Sequence, residues 1–484
     1  MPMFRFQKTG RSHGSNHAHM KPNTKTTIKT HLLGGLLLLI SQQVFAQNPI
    51  IQTKHTADPA PLVYKDTVYL YTGHDEDDAF GFKMKNWLLY TTTDMVNWRD
   101  HGPVALLEDF KWANADNGAW APQCVERNGK FYFYCPIPNG GGIGVLVSDS
   151  PYGPFVDPIG KPLIKHSKED IDPTVFIDDD GQAYMYWGNP NVWYVKLNED
   201  MISIDGEIIK EASMAKIDGK EDPFHYQEGP WVWKKASNYY MAYASTCCPE
   251  GMGYATSTSP TGPWKFQGMI MRPNSRSNGN HPGIIDYKGK SYVFGFNYDI
   301  LQQTMSKHYE RRSVAVTELL YNTDGTLQEL PFWTRKSVEP VETINPYKRT
   351  EAETIAFSEG LKTEKKTEWE RNIPWDTGAK LADRMVVTSV HHGDYLMVRA
   401  VDFSKGVKSL DVNVAPLYGG SIEIRTGNIE GPLLGVVQIS SSGEGDVYRT
   451  VSAPMKNISG IHDVFFIFKG SKDLFDFDWW QFKS

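Results

Sequence analysis

A self-similar unit recurs five times between residues 58 and 333, and it restricts the fold more than any other feature of the chain. Each unit opens with a proline behind a small, acidic or imidazole side chain. The openings are Asp58-Pro59-Ala60-Pro61, Ala121-Pro122-Gln123-Cys124, Asp172-Pro173-Thr174-Val175, Gly229-Pro230-Trp231-Val232 and His281-Pro282-Gly283-Ile284. An apolar strand, a turn and an aromatic strand follow each opening. The turns are read at Lys65-Asp66, Asn128-Gly129, Asp180-Gly181, Ser237-Asn238 and Lys288-Gly289. Further β-rich runs, such as Leu88-Leu89-Tyr90-Thr91 and Ile143-Gly144-Val145-Leu146, supply a second half to the units. Two hairpins in about fifty to sixty residues read as one propeller blade. The expected architecture is therefore all-β, a five-bladed β-propeller over residues 47–344. A β-sandwich with chance self-similarity is the competing reading, and five matching openings weigh against it. In a propeller the first strand of each blade lines the central channel, so the openings should meet at one mouth.

Three openings carry acids: Asp58, Asp172 and Glu228, the last just before Gly229-Pro230. Hydrolysis of a glycosidic bond needs one protonated carboxyl to help the leaving group and one ionised carboxylate to activate water or attack carbon. A third acid can raise the pKa of the first by like-charge repulsion. Asp58, the shorter, leaves room for a water and suits the general base. Glu228 has the longer reach and suits the general acid. Asp172 takes the modulating role. A lone Asp-Pro is more often a plain strand start; the argument rests on three acids at repeat openings. His281 at the fifth opening should face the channel, where it could reach a bound cation directly or through water. Trp120 should stand at the mouth as a wall for a sugar ring. Of Arg311 and Arg312, one is expected to point inward to a sugar hydroxyl or a carboxylate and the other into solvent.

These motifs resemble glycoside hydrolase family 43 over about Asp58 to Trp333. They are Ala57-Asp58-Pro59, Trp120-Ala121-Pro122, Asp172-Pro173-Thr174 with Asp179-Asp180-Gly181, Glu228-Gly229-Pro230, and Asn280-His281-Pro282-Gly283. The resemblance implies an inverting enzyme on a five-bladed propeller, with Asp58 as base, Asp172 as pKa modulator and Glu228 as acid. It also implies a calcium or similar ion near His281 and no organic cofactor. Gln123 stands where many members carry an acid, and it is not read as catalytic.

From residue 345 to 484 short alternating strands without a helical period argue for a β-sandwich. Examples are Ser409-Leu410-Asp411-Val412 and Ser421-Ile422-Glu423-Ile424. This segment resembles a family 6 carbohydrate-binding module, a jelly-roll domain. The resemblance implies a calcium held near Glu351, Glu353 and Asp478. Asp476 and the loop from Gly443 to Tyr448 depart from the usual sugar cleft, so the domain is read either as a sugar binder or as a buttress for the propeller.

A basic stretch with Lys21, Lys25 and Lys29, the apolar run Leu32 to Ile40 and a small residue at Ala46 read as a secretory signal over residues 1–46, with Met20 as an alternative start. A secreted or periplasmic protein without a membrane anchor is expected. The net charge of -7 gives no reason to expect nucleic acid. The four cysteines are too few for a disulfide framework. Cys124 and Cys135 could pair across a hairpin or remain as buried thiols. The aromatic content of 13% suits both core packing and stacking on sugar rings. A family 43 propeller followed by this module resembles arabinofuranohydrolases acting on arabinoxylan and their β-xylosidase relatives, and the resemblance implies release of α-L-arabinofuranosyl groups from arabinoxylan or related plant polysaccharide. A β-xylosidase and a non-catalytic sugar-binding propeller are the alternatives.

Overall fold

The structure, a computed structural model, describes residues 48–484 except 139–140, 216–221, 276–278, 305–309, 370–379, 443–444 and 446. The expected secretory segment at 1–46 lies outside the described residues. So do residues 443, 444 and 446 of the Gly443 to Tyr448 loop.

Five antiparallel sheets follow one another along the chain. The first holds β1 (His55–Tyr64), β2 (Thr67–Asp75), β3 (Asn86–Thr92) and β4 (Trp98–Leu106). The second holds β5 (Gln123–Arg127), β6 (Lys130–Ile137) and β7 (Gly142–Ser148). The third holds β8 (Thr174–Ile177), β9 (Ala183–Trp187), β10 (Trp193–Leu197) and β11 (Ile204–Lys210). The fourth holds β12 (Tyr226–Lys235), β13 (Asn238–Ser245), β14 (Gly251–Ser257) and β15 (Lys265–Met271). The fifth holds β16 (Gly283–Tyr287), β17 (Lys290–Asn297) and β18 (Ser313–Glu318), with the short helix α1 (Asp299–Thr304) between the last two.

Turn chemistry sets the hairpins. Asn128-Gly129 and Lys288-Gly289 both have positive φ at each residue, at 54° and 79° and at 46° and 80°. Such two-residue turns match the twist of the flanking strands. In the fourth sheet the turn is one residue earlier than expected. Lys235 pairs with Asn238, so Ala236-Ser237 makes the turn, and Ala236 takes φ 53°.

The first strands β1, β5, β8, β12 and β16 each contact the next, and β16 returns to β1. The ring is sealed by the start of β1 and the segment before it. Ile50 N donates to Val314 O at 2.9 Å and Thr56 N to Arg312 O at 2.9 Å. This is the propeller architecture expected from the repeat.

The remaining strands are β19 (Thr350–Glu351), β20 (Thr354–Ile355), β21 (Phe357–Glu359), β22 (Lys362–Trp369), β23 (Lys380–Thr388), β24 (Tyr395–Asp402), β25 (Ser409–Pro416), β26 (Gly420–Thr426), β27 (Leu433–Ile439), β28 (Arg449–Pro454), β29 (Ile461–Lys469) and β30 (Phe475–Lys483). Most form two sheets, ordered β22-β23-β30-β25-β28 and β21-β24-β29-β26-β27, which make a β-sandwich. Its alternating apolar residues, among them Val412, Ile424, Phe466 and Trp480, fill one core. Strand β20 leaves the sandwich and pairs with β4, Thr354 opposite Arg99. Cys124 and Cys135 are free and buried, and burial pushes the Cys124 thiol up to about 12. Cys247 and Cys248 are bonded to each other in the β13–β14 loop, a pairing the sequence reading did not anticipate.

Candidate active site

All five repeat openings surround one point. Asp58-Pro59, Ala121-Pro122, Asp172-Pro173, Gly229-Pro230 and His281-Pro282 line a narrow cavity of about 20 Å³ on the ring axis. A larger cavity of about 260 Å³ is lined by Asp58, Trp120, Asp172, Glu228, His281 and Arg312, together with Phe82, Ile171, Gly279, Phe296 and Tyr298. The three acids, far apart in sequence, thus share one cavity wall.

Backbone geometry aims them. Asp58, Asp172 and Gly229, each ahead of its proline, have φ of 51°, 54° and 60°. Few residues tolerate that region; Asp is one of them and Gly another. The pairing register slips at this place in β1, between Ala57 and Ala60, and in β12, around Glu228. A bulge of this kind re-aims a side chain at a barrel or propeller rim. At Gly229 a Cβ would lie 3.0 Å from His281 Cγ, tighter than ordinary van der Waals contact, so a side chain at the matching position in the fourth repeat would press on that ring. The acid stands one residue earlier, and glutamate has the length to reach the cavity.

His281 sits at the centre of the carboxylates. Its Nε2 is 3.1 Å from Glu228 Oε1 and 3.9 Å from Asp172 Oδ2, and its Nδ1 is 3.4 Å from Asp58 Oδ1. Burial would depress its pKa, but Asp58, Asp172 and Glu228 outweigh burial and raise it to about 10. His281 is therefore an imidazolium at neutral pH. Burial pushes Asp172 up to about 7, with Glu228 and Asp58 adding to the rise against His281. Glu228 goes the other way. Burial opposes its charge, but the bond from His281 and the amide of Asn189 hold it below the usual carboxylate range. Arg312 is buried and spans two acids, with Nη1 2.9 Å from Asp58 Oδ1 and Nη2 2.9 Å from Asp75 Oδ1. Its guanidinium lies 5.1 Å from the ring centres of both Phe82 and Phe296.

Residues 46–331 match the family described as Glycosyl hydrolases family 43, more than half of the chain. The chain belongs to glycosyl hydrolase family 43. Residues 351–484 match Carbohydrate binding module (family 6). An arabinoxylan arabinofuranohydrolase of Bacillus subtilis (strain 168) is 32% identical, over 92% of this chain and 93% of its own. One of Paenibacillus polymyxa is 30% identical, over 90% of this chain and 74% of its own. A solved family 43 arabinoxylan arabinofuranohydrolase from Bacillus subtilis, in complex with cellotetraose, superposes with a TM-score of 0.76 at 30% identity, covering 91% of this chain and 98% of that one.

Within this family 43 propeller, the structure gathers Asp58, Asp172, Glu228, His281, Trp120 and Arg312 in one cavity. Arg312 is the inward arginine. Arg311 is not brought to the cavity lining; it is half-buried rather than solvated, and its Nη2 donates to Ala79 O at 3.1 Å. Gln123 is structural, accepting a bond from Val175 N. Four contributors escaped the repeat analysis because they lie outside the openings. Asp75 ends β2, Phe82 follows it, and Asn189 precedes β10. Glu250 lies before β14, where burial and the charge of Glu228 raise its pKa to about 8. Asp75 begins the acid-rich run Asp75-Glu76-Asp77-Asp78, which was its only signal.

At the propeller position expected for an ion, His281, Asp172 and Glu228 stand close enough together to hold a metal ion directly or through water. His281 Nε2 is paired with Glu228, and its Nδ1 is 3.4 Å from Asp58 Oδ1. In the sandwich, Glu351 pairs with Arg349 at 2.8 Å, Glu353 with Arg99 at 3.3 Å and Asp478 with Arg384 at 2.6 Å. Calcium takes six to eight oxygen ligands, whereas here arginines supply the positive charge. Asp476 is half-buried, and burial raises its pKa.

Proposed function

We propose that this chain hydrolyses α-L-arabinofuranosyl groups from arabinoxylan or a related plant hemicellulose, with inversion at the anomeric carbon, and that it acts as a secreted or periplasmic enzyme. The observation that carries the reading is that Asp58 and Glu228 face opposite nitrogens of one imidazole. The imidazole between them keeps the two carboxylates out of direct contact. An inverting site needs such a separation, about 6.5–9.5 Å, to admit a water. The names of relatives that match along nearly the whole chain support the choice of arabinose over xylose.

In this mechanism Asp58 takes a proton from water as the water attacks the anomeric carbon. Arg312 and His281 hold its Oδ1 in place. Glu228 gives a proton to the departing oxygen. In the free cavity the protons lie on His281 and Asp172. The 3.1 Å contact from His281 Nε2 is the route by which Glu228 is loaded. Asp172, 3.9 Å from the same nitrogen, keeps the cluster protonated up to about pH 7. Trp120 and Phe82 give the sugar an apolar wall.

Incubation with wheat arabinoxylan and with aryl α-L-arabinofuranoside and aryl β-D-xyloside tests the reading. Arabinose from the polymer and the first glycoside is expected, with the β-anomer appearing first by proton NMR. Xylose as the main product would favour a xylosidase. Fructose from fructans, or no turnover of any substrate, would overturn the reading. Processing after Ala46 on export tests the secretory assignment.

A further inference from the structure

We propose that the loop joining β2 and β3, residues 76–85, is a fixed lip that binds the polysaccharide main chain outside the cavity, with Phe80 as the ring on which a main-chain sugar stacks. The inference rests on the reading of the chain as a polysaccharide hydrolase. Phe80 is 84% exposed and Phe82 50% exposed. Two large apolar side chains so close together in solvent mark a contact surface more often than chance does. The loop that carries them is braced. Glu76 N donates to Lys83 O at 3.0 Å, Asn117 Nδ2 to Phe82 O at 2.8 Å, and Arg311 Nη2 to Ala79 O at 3.1 Å. Lys362 of the sandwich reaches Asp77 Oδ2 at 2.6 Å. A braced loop presents its rings at little entropic cost on binding.

The occupant follows from size and charge. Phe82 lines the cavity, so Phe80 stands two residues from its edge. The cavity, at about 260 Å³, falls below the range of about 300–1,000 Å³ that takes a drug-sized ligand. One pentose inside leaves the chain that bears it at the mouth. The lip's acids have partners, Glu76 at 3.9 Å from His74, Asp77 with Lys362 and Asp78 with Lys83 at 2.7 Å. With these charges paired, the exposed rings of Phe80 and Phe82 suit the face of an uncharged sugar rather than a basic protein.

The variants Phe80→Ala and Phe80→Trp test this. For Phe80→Ala the ratio of kcat/KM on arabinoxylan to that on aryl arabinofuranoside should fall by about 3- to 10-fold, the size of one aromatic stacking contact. Phe80→Trp should keep the wild-type ratio. In affinity electrophoresis through arabinoxylan, Phe80→Ala should migrate faster than wild type, with no difference in a gel without polysaccharide. An unchanged ratio or equal mobility in arabinoxylan would overturn the proposal. If wild type cleaved neither substrate, the hydrolase reading would fall on its own, while gel mobility would still decide whether Phe80 binds the polymer.

Discussion

Gly229 shows how one missing side chain shapes the catalytic centre. Its φ of 60° and the His281 ring 3.0 Å from where a Cβ would stand both favour glycine over any residue with a side chain. Gly229→Ala should therefore cost about 1–3 kcal/mol in unfolding experiments, from the left-handed backbone and from overpacking. The neighbouring acid carries a different expectation. Glu228→Gln should lose about 10²–10⁴-fold in turnover of arabinoxylan while thermal unfolding changes little, because general acid help is lost and the shape is kept. The raised pKa of Asp172 sets a pH limit with a definite sign. Its carboxyl is protonated below about 7 and ionised above, so kcat/KM should fall as pH rises through about 7. Asp172→Asn should remove that limb from the pH profile.

At the scale of elements, the useful device is the bulge at a strand start. Strands β1 and β12 lose register where they carry their acids, while the rest of each hairpin pairs regularly. The bulge turns a strand-start residue toward the ring axis without spending the strand's own pairing. Neighbouring first strands then pack closely. A Cβ on Gly283 of β16 would fall on Pro59 O of β1 and on the Pro61 ring. Gly283→Ala should lower the midpoint of thermal unfolding, because a backbone atom cannot yield as a side-chain tip can. It should also weaken catalysis, since β16 follows directly on His281 and β1 carries Asp58.

Across the whole molecule, sandwich and propeller share polar contacts that neither would leave buried alone. Asp100 of β4 accepts from Lys54 at 2.5 Å and from Thr363 of β22 at 2.6 Å. Asp100 and Thr363 are both buried. Thr363→Val should destabilise the full chain by about 1–3 kcal/mol, the cost of leaving a buried acceptor short of a partner. Glu353, buried in the sandwich, takes its cation from Arg99 of the propeller. With arginines at all three carboxylates, EDTA should leave the unfolding midpoint unchanged, and added calcium should not raise it. A rise with calcium would show that the arginines give way to the ion. Lys362 of the sandwich also pairs with Asp77 of the loop that carries Phe82 of the cavity lining.

The repeat determined a great deal by itself. Five proline openings, each followed by a hairpin, are local signals. Turn residues and alternating apolar runs act over a few positions, so the all-β architecture and the three acids at the openings were legible in the chain. Asp75, Asn189 and Glu250 were not, because their roles come from neighbours that tertiary packing supplies, and the adjacent pair Cys247–Cys248 lay outside every repeat signal. The same holds for charge. Which carboxyl keeps a proton depends on burial and on distances to His281 and Arg312, and no spacing in the sequence encodes these. The calcium expected near Glu351, Glu353 and Asp478 was implied by the resemblance to a family 6 module. Tertiary structure brought Arg99 to Glu353 and Arg384 to Asp478, while Arg349 stands two residues from Glu351 in the chain, and a buried charge takes whichever counter-charge the fold places within reach.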